Sequence, residues 1–515
     1  MAASGVAPCK RLRVGDACLA SSAGEAIAKL SGSNNDDLEE IDVDVSLASA
    51  DAAGPLLLQH LCEWLGECAV GCRSTLRSLR LAGPLYLGTF FAAVAPWAHE
   101  FAQLESVFLA RGGEDWQPWV AACVLQQLPS LERLQFHFSF DDEEPPQDLL
   151  QLLLLPDAAA AALGGAAAAA GLGPGLPTLN HLALVYPPRS VIPPTSPLPD
   201  ALSTMTQLTA LKLKRYPVTG VPTFLGALTQ LHYLLWDPAL PADTPYAMPP
   251  GLGALARLEC LWVVVQWPLE LPASLAGSLQ GLHVMARGYR EDEAERQRYD
   301  WLAPFSRLGS LRLQGLGMAE LPPEIAAMCQ LTRLDLMVNR LRSLPAGPYL
   351  QQLRLCHMGN NRLSHFPSAL LQAQKLAALY LANQTAPAGG SGSGQSSPGS
   401  GRSTMRCGAG YTQRLEMSCE DVEGLLALPE LKTVVMGSLQ PVVLAGMAWH
   451  DFAWLQAVLK QRGARLTSNE LAYPLQSKEV FDVPLLFGEP ASDADWQSSL
   501  ERTSSSALPA ATSGA

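Results

Sequence analysis

The sequence is poor in the features that mark chemistry or a compartment. Its eleven cysteines (positions 9, 18, 62, 68, 72, 123, 260, 329, 356, 407 and 419) are odd in number and contain no C-x-x-C pair. Neither a disulfide framework nor a zinc site is indicated, and reduced thiols point to a cytoplasmic protein. Cys62, Cys68 and Cys72 cluster, but in a stretch that reads as helix over 56–70. Charged residues make up only 16%, the formal net charge is −13, and Lys and Arg are scattered without a basic tail. That balance excludes a dedicated nucleic-acid binder, which needs a positive stripe or face. Long apolar runs are lacking too. The opening MAASGVAPCKRLRVGDACLA has no stretch of signal-peptide length, and the most lipid-like segment, 149–155, stops at Pro156. A bilayer span needs about 20 apolar residues, so no membrane insertion is expected.

Catalytic signatures are missing as well. The chain has no G-x-x-x-x-G-K-[ST], no H-E-x-x-H and no kinase set. Gly251, Gly253 and Ala256 match a dinucleotide fingerprint by letters, but they follow Met248-Pro249-Pro250 instead of a strand. The nine histidines are dispersed. The expectation is a non-enzyme with no catalytic residue, no metal and no cofactor. At 515 residues the chain is also too long for one globular core, since cores stop growing near about 250–300 residues, so it either has several domains or grows by stacking.

Stacking is what the leucines indicate. The clearest unit reads L-x-x-L-x-L-x-x-N-x-L-x-x-L-P through Leu331, Leu334, Leu336, Asn339, Leu341, Leu344 and Pro345. The same slots recur from Leu308, Leu353 and Leu376, at steps of 23, 22 and 23 residues. More divergent copies start at Leu208, Leu231, Leu258 and Leu279, and weaker ones at Leu38, Leu76, Leu104, Leu131, Leu179 and Leu431. The L-x-L core alternates with period two, which sends its leucines to one face of a short strand. The Asn stands where the chain leaves that strand, and its amide can satisfy backbone groups that would otherwise be buried unpaired. One unit cannot bury its own apolar face, so neighbours must supply the core.

With these residues the chain resembles the leucine-rich-repeat family, and the ~23-residue spacing with L-P is similar to its intracellular, Ras-binding-protein-like subclass. The resemblance implies an α/β solenoid, a horseshoe with parallel strands on the concave face and helical or irregular convex returns. It also implies a protein-interaction scaffold whose partner sits on the concave face. A substrate-recognition subunit of a ubiquitin ligase, or a structural subunit of a cytoskeletal or ciliary (axonemal) assembly, is the alternative. The Asn slot holds Tyr216, Gln266, Leu316 and Gln384, so the asparagine ladder is expected to be interrupted there.

Domain boundaries follow from the steps that are too long. A flexible N-terminus covers 1–37, and divergent repeats cover 38–180 with an insertion at 141–177. Repeats continue over 181–384, followed by a flexible Gly/Ser insertion over 385–410. The last repeat and a C-terminal cap take 411–488, with a helix near 419–428, and 489–515 reads as a disordered tail. The charged segment 289–302 lengthens one further step and reads as a convex helix.

The outward slots of the strands decide what the scaffold can hold. Counting from each leading leucine, the fifth position runs Lys212, Leu235, Trp262, His283, Arg312, Asp335, His357 and Tyr380. The third adds Tyr233, Cys260 and Arg333, and the seventh adds Lys214, Val264 and Met337. Aromatic and apolar side chains beside cations are the composition of a binding hot spot. The partner-binding residues expected are Lys212, Lys214, Tyr233, Leu235, Trp262, Val264, His283, Arg312 and Tyr380.

Overall fold

A computed structural model describes residues 10–14, 38–44, 70–85, 87–112, 118–137, 176–186, 200–217, 224–239, 251–265, 270–286, 299–382, 384 and 415–436. It also describes Leu153, Met248 and short pieces at 443–444, 459–461 and 465–467. The chain divides into two compact units, 1–255 and 256–515, and each is taken by itself.

In the first unit eight strands lie parallel and in chain order. They are β1 (Lys10–Val14), β2 (Leu38–Asp44), β3 (Ser78–Leu85), β4 (Ser106–Gly112), β5 (Arg133–His137), β6 (His181–Val185), β7 (Ala210–Pro217) and β8 (Tyr233–Ala239). In the second unit, β9 (Cys260–Val265), β10 (Gly281–Ala286), β11 (Ser310–Gln314), β12 (Arg333–Asp335), β13 (Leu355–His357) and β14 (Ala378–Tyr380) repeat the arrangement. After the two-residue β15 (Glu416–Met417), which pairs with β17 (Val443–Leu444), the row continues through β16 (Thr433–Val435) to β18 (Arg465–Thr467). This consecutive, all-parallel order is a leucine-rich-repeat solenoid fold.

The register is set by the leucines. Leu211, Leu261, Leu282, Leu311, Leu334, Cys356 and Leu379 occupy one slot, and each is fully buried. A one-residue slip would send every one of them to the opposite face. The returns vary from repeat to repeat. The steps of 28 and 27 residues from Leu76 and Leu104 hold α-helices, Leu87–Val94 and Pro118–Gln126. The shorter steps downstream hold 3₁₀ turns such as Phe224–Ala227, Ala273–Gly277 and Ser368–Gln372. The L-P element works as a helix starter: extended Pro322 is followed by Pro323 as first residue of a one-turn helix, where a missing N–H costs nothing.

Leaving the strand is harder, and four of the described repeats do it the same way. The residue before the Asn slot is left-handed at Arg215 (φ 56°), Gly315 (67°), Val338 (59°) and Asn360 (55°). The Asn amide then closes the turn. Asn339 Nδ2 donates to Leu313 O (2.7 Å) and Leu336 O (2.9 Å), and its Oδ1 accepts from Leu316 N (3.1 Å) and Met318 N (3.2 Å). Asn361 does the same for Leu336 O, Met358 O and Leu341 N.

Two expectations need correction. Gln384 does not interrupt the ladder: its Nε2 donates to Met358 O and Leu381 O (2.9 Å each), and its Oε1 accepts from Leu363 N (3.0 Å). Leu316 has no amide and supplies no rung of its own, although Asn339 of the following repeat accepts from its N–H. Within the segment expected to be flexible, 1–37, the structure has a strand: β1 pairs with β2 along Lys10–Val14. The pairing of β5 directly with β6 makes 131–179 a single repeat step. The insertion at 141–177 (apart from Leu153, Leu176 and Pro177), the Gly/Ser segment 385–410, most of the charged segment 289–302 and the tail 489–515 lie outside the described residues. The helix expected near 419 is Cys419–Ala427, closed by a capping box between Ser418 and Asp421.

Candidate functional site

Parallel pairing without offset places like slots of successive repeats side by side, about 4.8 Å apart. In the second unit the fifth slots therefore form one row, Trp262, His283, Arg312, Asp335, His357 and Tyr380, with each residue the register partner of the next. The row is chemically continuous. The Trp262 and His283 rings meet edge to face with centroids 5.3 Å apart, and the Arg312 guanidinium lies 5.5 Å from the Trp262 ring centroid. Arg312 Nε donates to Asp335 Oδ2 at 2.7 Å, and Gln314 Nε2 donates to the same oxygen at 3.0 Å. Asp335 Oδ1 accepts from Met337 N (3.0 Å) and stands 3.6 Å from His357 Nδ1, whose ring packs against Tyr380 at 5.2 Å.

Burial shapes the charges in this row. Asp335 is 1% exposed. Desolvation pushes its carboxyl up, but the Arg312 charge, the His357 bond and charge and the Met337 N–H together outweigh that and hold it well below the ordinary carboxylate range. His283 is 2% exposed, and its Nδ1 has no hydrogen-bond partner while Nε2 reaches Ser310 Oγ at 3.4 Å. Desolvation, then Arg312 and Arg333, drive its pKa down against the opposing pull of Asp335, to about 3. His283 is therefore neutral.

The expected site residues divide between the two units. Lys212, Lys214, Tyr233 and Leu235 belong to the first, and Trp262, Val264, His283, Arg312 and Tyr380 to the second. All of them take outward slots, opposite the leucines. In the first unit Lys212 pairs in register with Leu235, Ala210 with Tyr233, and Lys214 with Asp237. Only Lys214 and Trp262 are half-buried; Lys212, Tyr233, Leu235, Val264, His283, Arg312 and Tyr380 are buried. The half-exposed part of the second unit's outward slots thus consists of Trp262, Met285, Arg333 and Met337, with the small Ser310, Ala378 and Ala382.

One arrangement was not anticipated. In the first unit Arg80 bonds Asp42 at 3.1 Å and lies 4.2 Å over the Phe108 ring, which in turn packs on His137 at 4.7 Å. This is the same association of carboxylate, arginine, aromatic ring and histidine found around Arg312. The fifth-slot count that gives Lys212 also gives Asp42 from Leu38, Arg80 from Leu76 and Phe108 from Leu104, so the same count carries the signal for this cluster.

Among the described residues no group of three or more His, Cys, Asp or Glu could hold a metal ion, and no helix is long and apolar enough to cross a membrane. Cys123, Cys260, Cys329 and Cys356 are free thiols. Burial pushes the Cys260 thiol up to about 12, with Glu259 adding to the shift, and raises Cys356 further, so neither is a ready nucleophile.

No family model and no curated protein matches the sequence. Among solved structures, a leucine-rich-repeat protein of Leptospira interrogans aligns over 72% of this chain and 94% of its own, at 16% identity and a TM-score of 0.33. A TDR receptor aligns over 87% of this chain and 64% of its own, at 13% identity and a TM-score of 0.36. Likeness at this level assigns neither family nor function, and the solenoid rests on the strand register and the side-chain amide ladder.

Proposed function

We propose that the chain is a non-enzymatic scaffold that grips a protein partner on the outward, concave face of its strands. The observation that carries this reading is the composition of the outward row in the second unit. The half-exposed Trp262, Met285 and Met337 are residue types enriched at interface cores, and Lys and Glu do not occur in the three outward slots of β9–β14, where the depleted types present are Ser310, Asp335, Ala378 and Ala382. Those side chains are pre-arranged by their own row, so binding would order little that is not ordered already. Lys212, Lys214, Tyr233 and Leu235 form the corresponding partner-binding set of the first unit. The free thiols support action in a reducing, cytoplasmic setting.

The test is affinity purification of the full chain from its native cell, beside the Trp262→Ala variant, with the captured proteins identified by mass spectrometry. A protein recovered with the wild-type chain and depleted about tenfold with Trp262→Ala is the expected result. A capture profile identical for the two proteins would overturn the reading. Recovery of a cullin adaptor would place the scaffold in a ubiquitin ligase, and recovery of axonemal proteins in a cilium.

A further inference from the structure

The second unit contains a long run of chain without a single carboxylate. Although 48 of the 515 residues are Asp or Glu, none falls between 336 and 415, where eight Lys and Arg do. Five of those cations lie on the described repeats over 336–382. Two of them, Arg342 and Arg362, follow the strands β12 and β13 and stand on the rim where the chain leaves the sheet. Backbone bonds bring their two turns together. Arg362 N donates to Leu341 O at 2.9 Å, next to Arg342, and Val338 N donates to Gly359 O at 3.0 Å. Arg342 is exposed and Arg362 half-exposed, and neither side chain has an ion-pair or hydrogen-bond partner among the described residues. The carboxylates bordering the run are engaged or lie a repeat away. Asp335 is buried in its ion pair, Asp421 accepts from Ser368 (2.6 Å) and Ser418 (2.8 Å), and Glu320 belongs to the return before β12. On the same rim Val338 is 37% exposed and held at φ 59°. A β-branched residue in that region is strained, and strain of this kind concentrates at functional positions.

We infer that the exit rim of β12 and β13 is a second interaction surface, which takes an acidic segment of a protein partner. Glu or Asp side chains of that segment are set against Arg342 and Arg362, and an apolar side chain lies on Val338. The rim is apart from the outward slots of the strands, so the inference does not depend on the outward row binding anything. Charge fixes the occupant. A carboxylate arriving here meets two guanidinium groups and no competing carboxylate in either turn, and guanidinium pairs with carboxylate through parallel charge-assisted hydrogen bonds. Screening limits the reach of other charges to about 8 Å at physiological salt, so the arginines and not the net −13 of the chain set the sign at contact. A basic segment, which the net charge attracts from afar, meets like charge at the rim. Exposed ion pairs alone contribute little, and Val338 supplies the apolar contact that they lack.

The probe is a pair of fluorescein-labelled synthetic peptides of equal length and equal leucine content. One carries Glu and the other Lys at the remaining positions, and binding to the full chain is read by fluorescence anisotropy. The Glu peptide is expected to bind about tenfold or more tightly than the Lys peptide. The double variant Arg342→Gln, Arg362→Gln is expected to erase most of that preference. Arg307→Gln with Arg354→Gln removes the same two charges from exposed positions off this rim and is expected to leave the affinity unaltered. Val338→Asn is expected to weaken the Glu peptide about threefold or more while raising the urea midpoint, so that unfolding cannot account for the loss. Trp262→Ala is expected to leave the peptide affinity where it is. Tighter binding of the Lys peptide, no binding of the Glu peptide, or an unchanged preference in the Arg342, Arg362 double variant would each overturn the inference. So would an unaltered affinity in Val338→Asn, a loss in Trp262→Ala, or a labelled oligothymidylate that binds at least as tightly as the Glu peptide. The scaffold reading would survive any of these if Trp262→Ala still depleted the partner captured from the cell.

Discussion

Arg312 and Asp335 form an ion pair at 2.7 Å with both side chains withdrawn from water, at 5% and 1% exposure. Removing one partner of such a pair leaves a buried charge uncompensated, at a typical cost of ~3–5 kcal/mol. Asp335→Ala is expected to destabilise the second unit by that order, because Gln314 and Met337 N lose their acceptor with it and His357 loses the carboxylate 3.6 Å away. The double variant Arg312→Met, Asp335→Leu should recover a large part of the loss, since an apolar pair of similar volume has no charge to desolvate. Urea unfolding followed by circular dichroism measures both. An Asp335→Ala loss below about 1 kcal/mol, the level of an exposed pair, would rule out a buried role for the row.

Acid should act on this row in two stages. The folded pKa of His283 is about 3 against 6.5 for the free side chain. Below 6.5 the unfolded chain takes up a proton that the folded chain refuses, so stability is full above 6.5 and falls as the pH drops toward 3. The slope from one such group approaches about 1.4 kcal/mol per pH unit within that window. Asp335 has the usual sign for a carboxylate held low: its contribution is present above 3.8 and is lost as the pH falls below that value. Stability measured by urea titration between pH 7.5 and pH 4.5 should therefore decline, and His283→Gln should flatten that decline. A His283→Gln profile parallel to that of the wild type would show that His283 titrates normally.

The side-chain amide ladder gives a third expectation. Asn339 bonds backbone groups of its own repeat and of the one before it, so Asn339→Ala orphans several buried polar groups at once. An orphaned buried donor or acceptor costs about 1–3 kcal/mol. The loss should also spread, because stability in a repeat array is shared with nearest neighbours. Hydrogen exchange of the full chain checks this: amides over 308–341 should lose protection together. Unchanged protection of the 308–318 amides in Asn339→Ala would contradict the shared ladder.

The ladder also shows how far the sequence can be read. The inward leucines and the strand register were legible because the period is physical: a leucine out of phase would face water. Gln384 was misread because the expectation was written for a residue type and not for a reach. Its longer side chain reaches two carbonyl acceptors and one N–H donor equivalent to those that Asn361 serves one repeat earlier. Strand β1 was missed because KRLRV has no leading leucine and turn asparagine around it, and its pairing with β2 is a long-range fact that no local pattern carries. At the site, the fifth-slot count aligned Trp262, His283, Arg312, Asp335, His357 and Tyr380 correctly. What it could not give was who bonds whom, since a slot gives a neighbour but not a rotamer. Arg312 turns to Asp335 on one side and reaches past His283 to the Trp262 ring on the other.

Val338 supplies the last expectation, and it combines backbone with surface. It is left-handed at φ 59° and 37% exposed, the one large hydrophobic residue standing in the open among those described. A β-branched residue is the worst choice for that backbone region, because its Cβ crowds the carbonyl, at a cost of about 1–2 kcal/mol. The neighbouring repeats solve the same turn with better residues, Gly315 before it and Asn360 after it. The backbone bonds of the turn do not involve the side chain: Val338 N donates to Gly359 O and Gly315 N donates to Val338 O, each at 3.0 Å. Val338→Asn is therefore expected to raise stability by about 1 kcal/mol, seen as a higher urea midpoint with an unchanged slope. Val338→Ile keeps the strain and should leave the midpoint where it is. A lower midpoint in Val338→Asn would mean that the exposed valine gains more from packing at this turn than it loses to strain, and the repeated left-handed position could not then be treated as a site where residue choice is governed by the backbone alone.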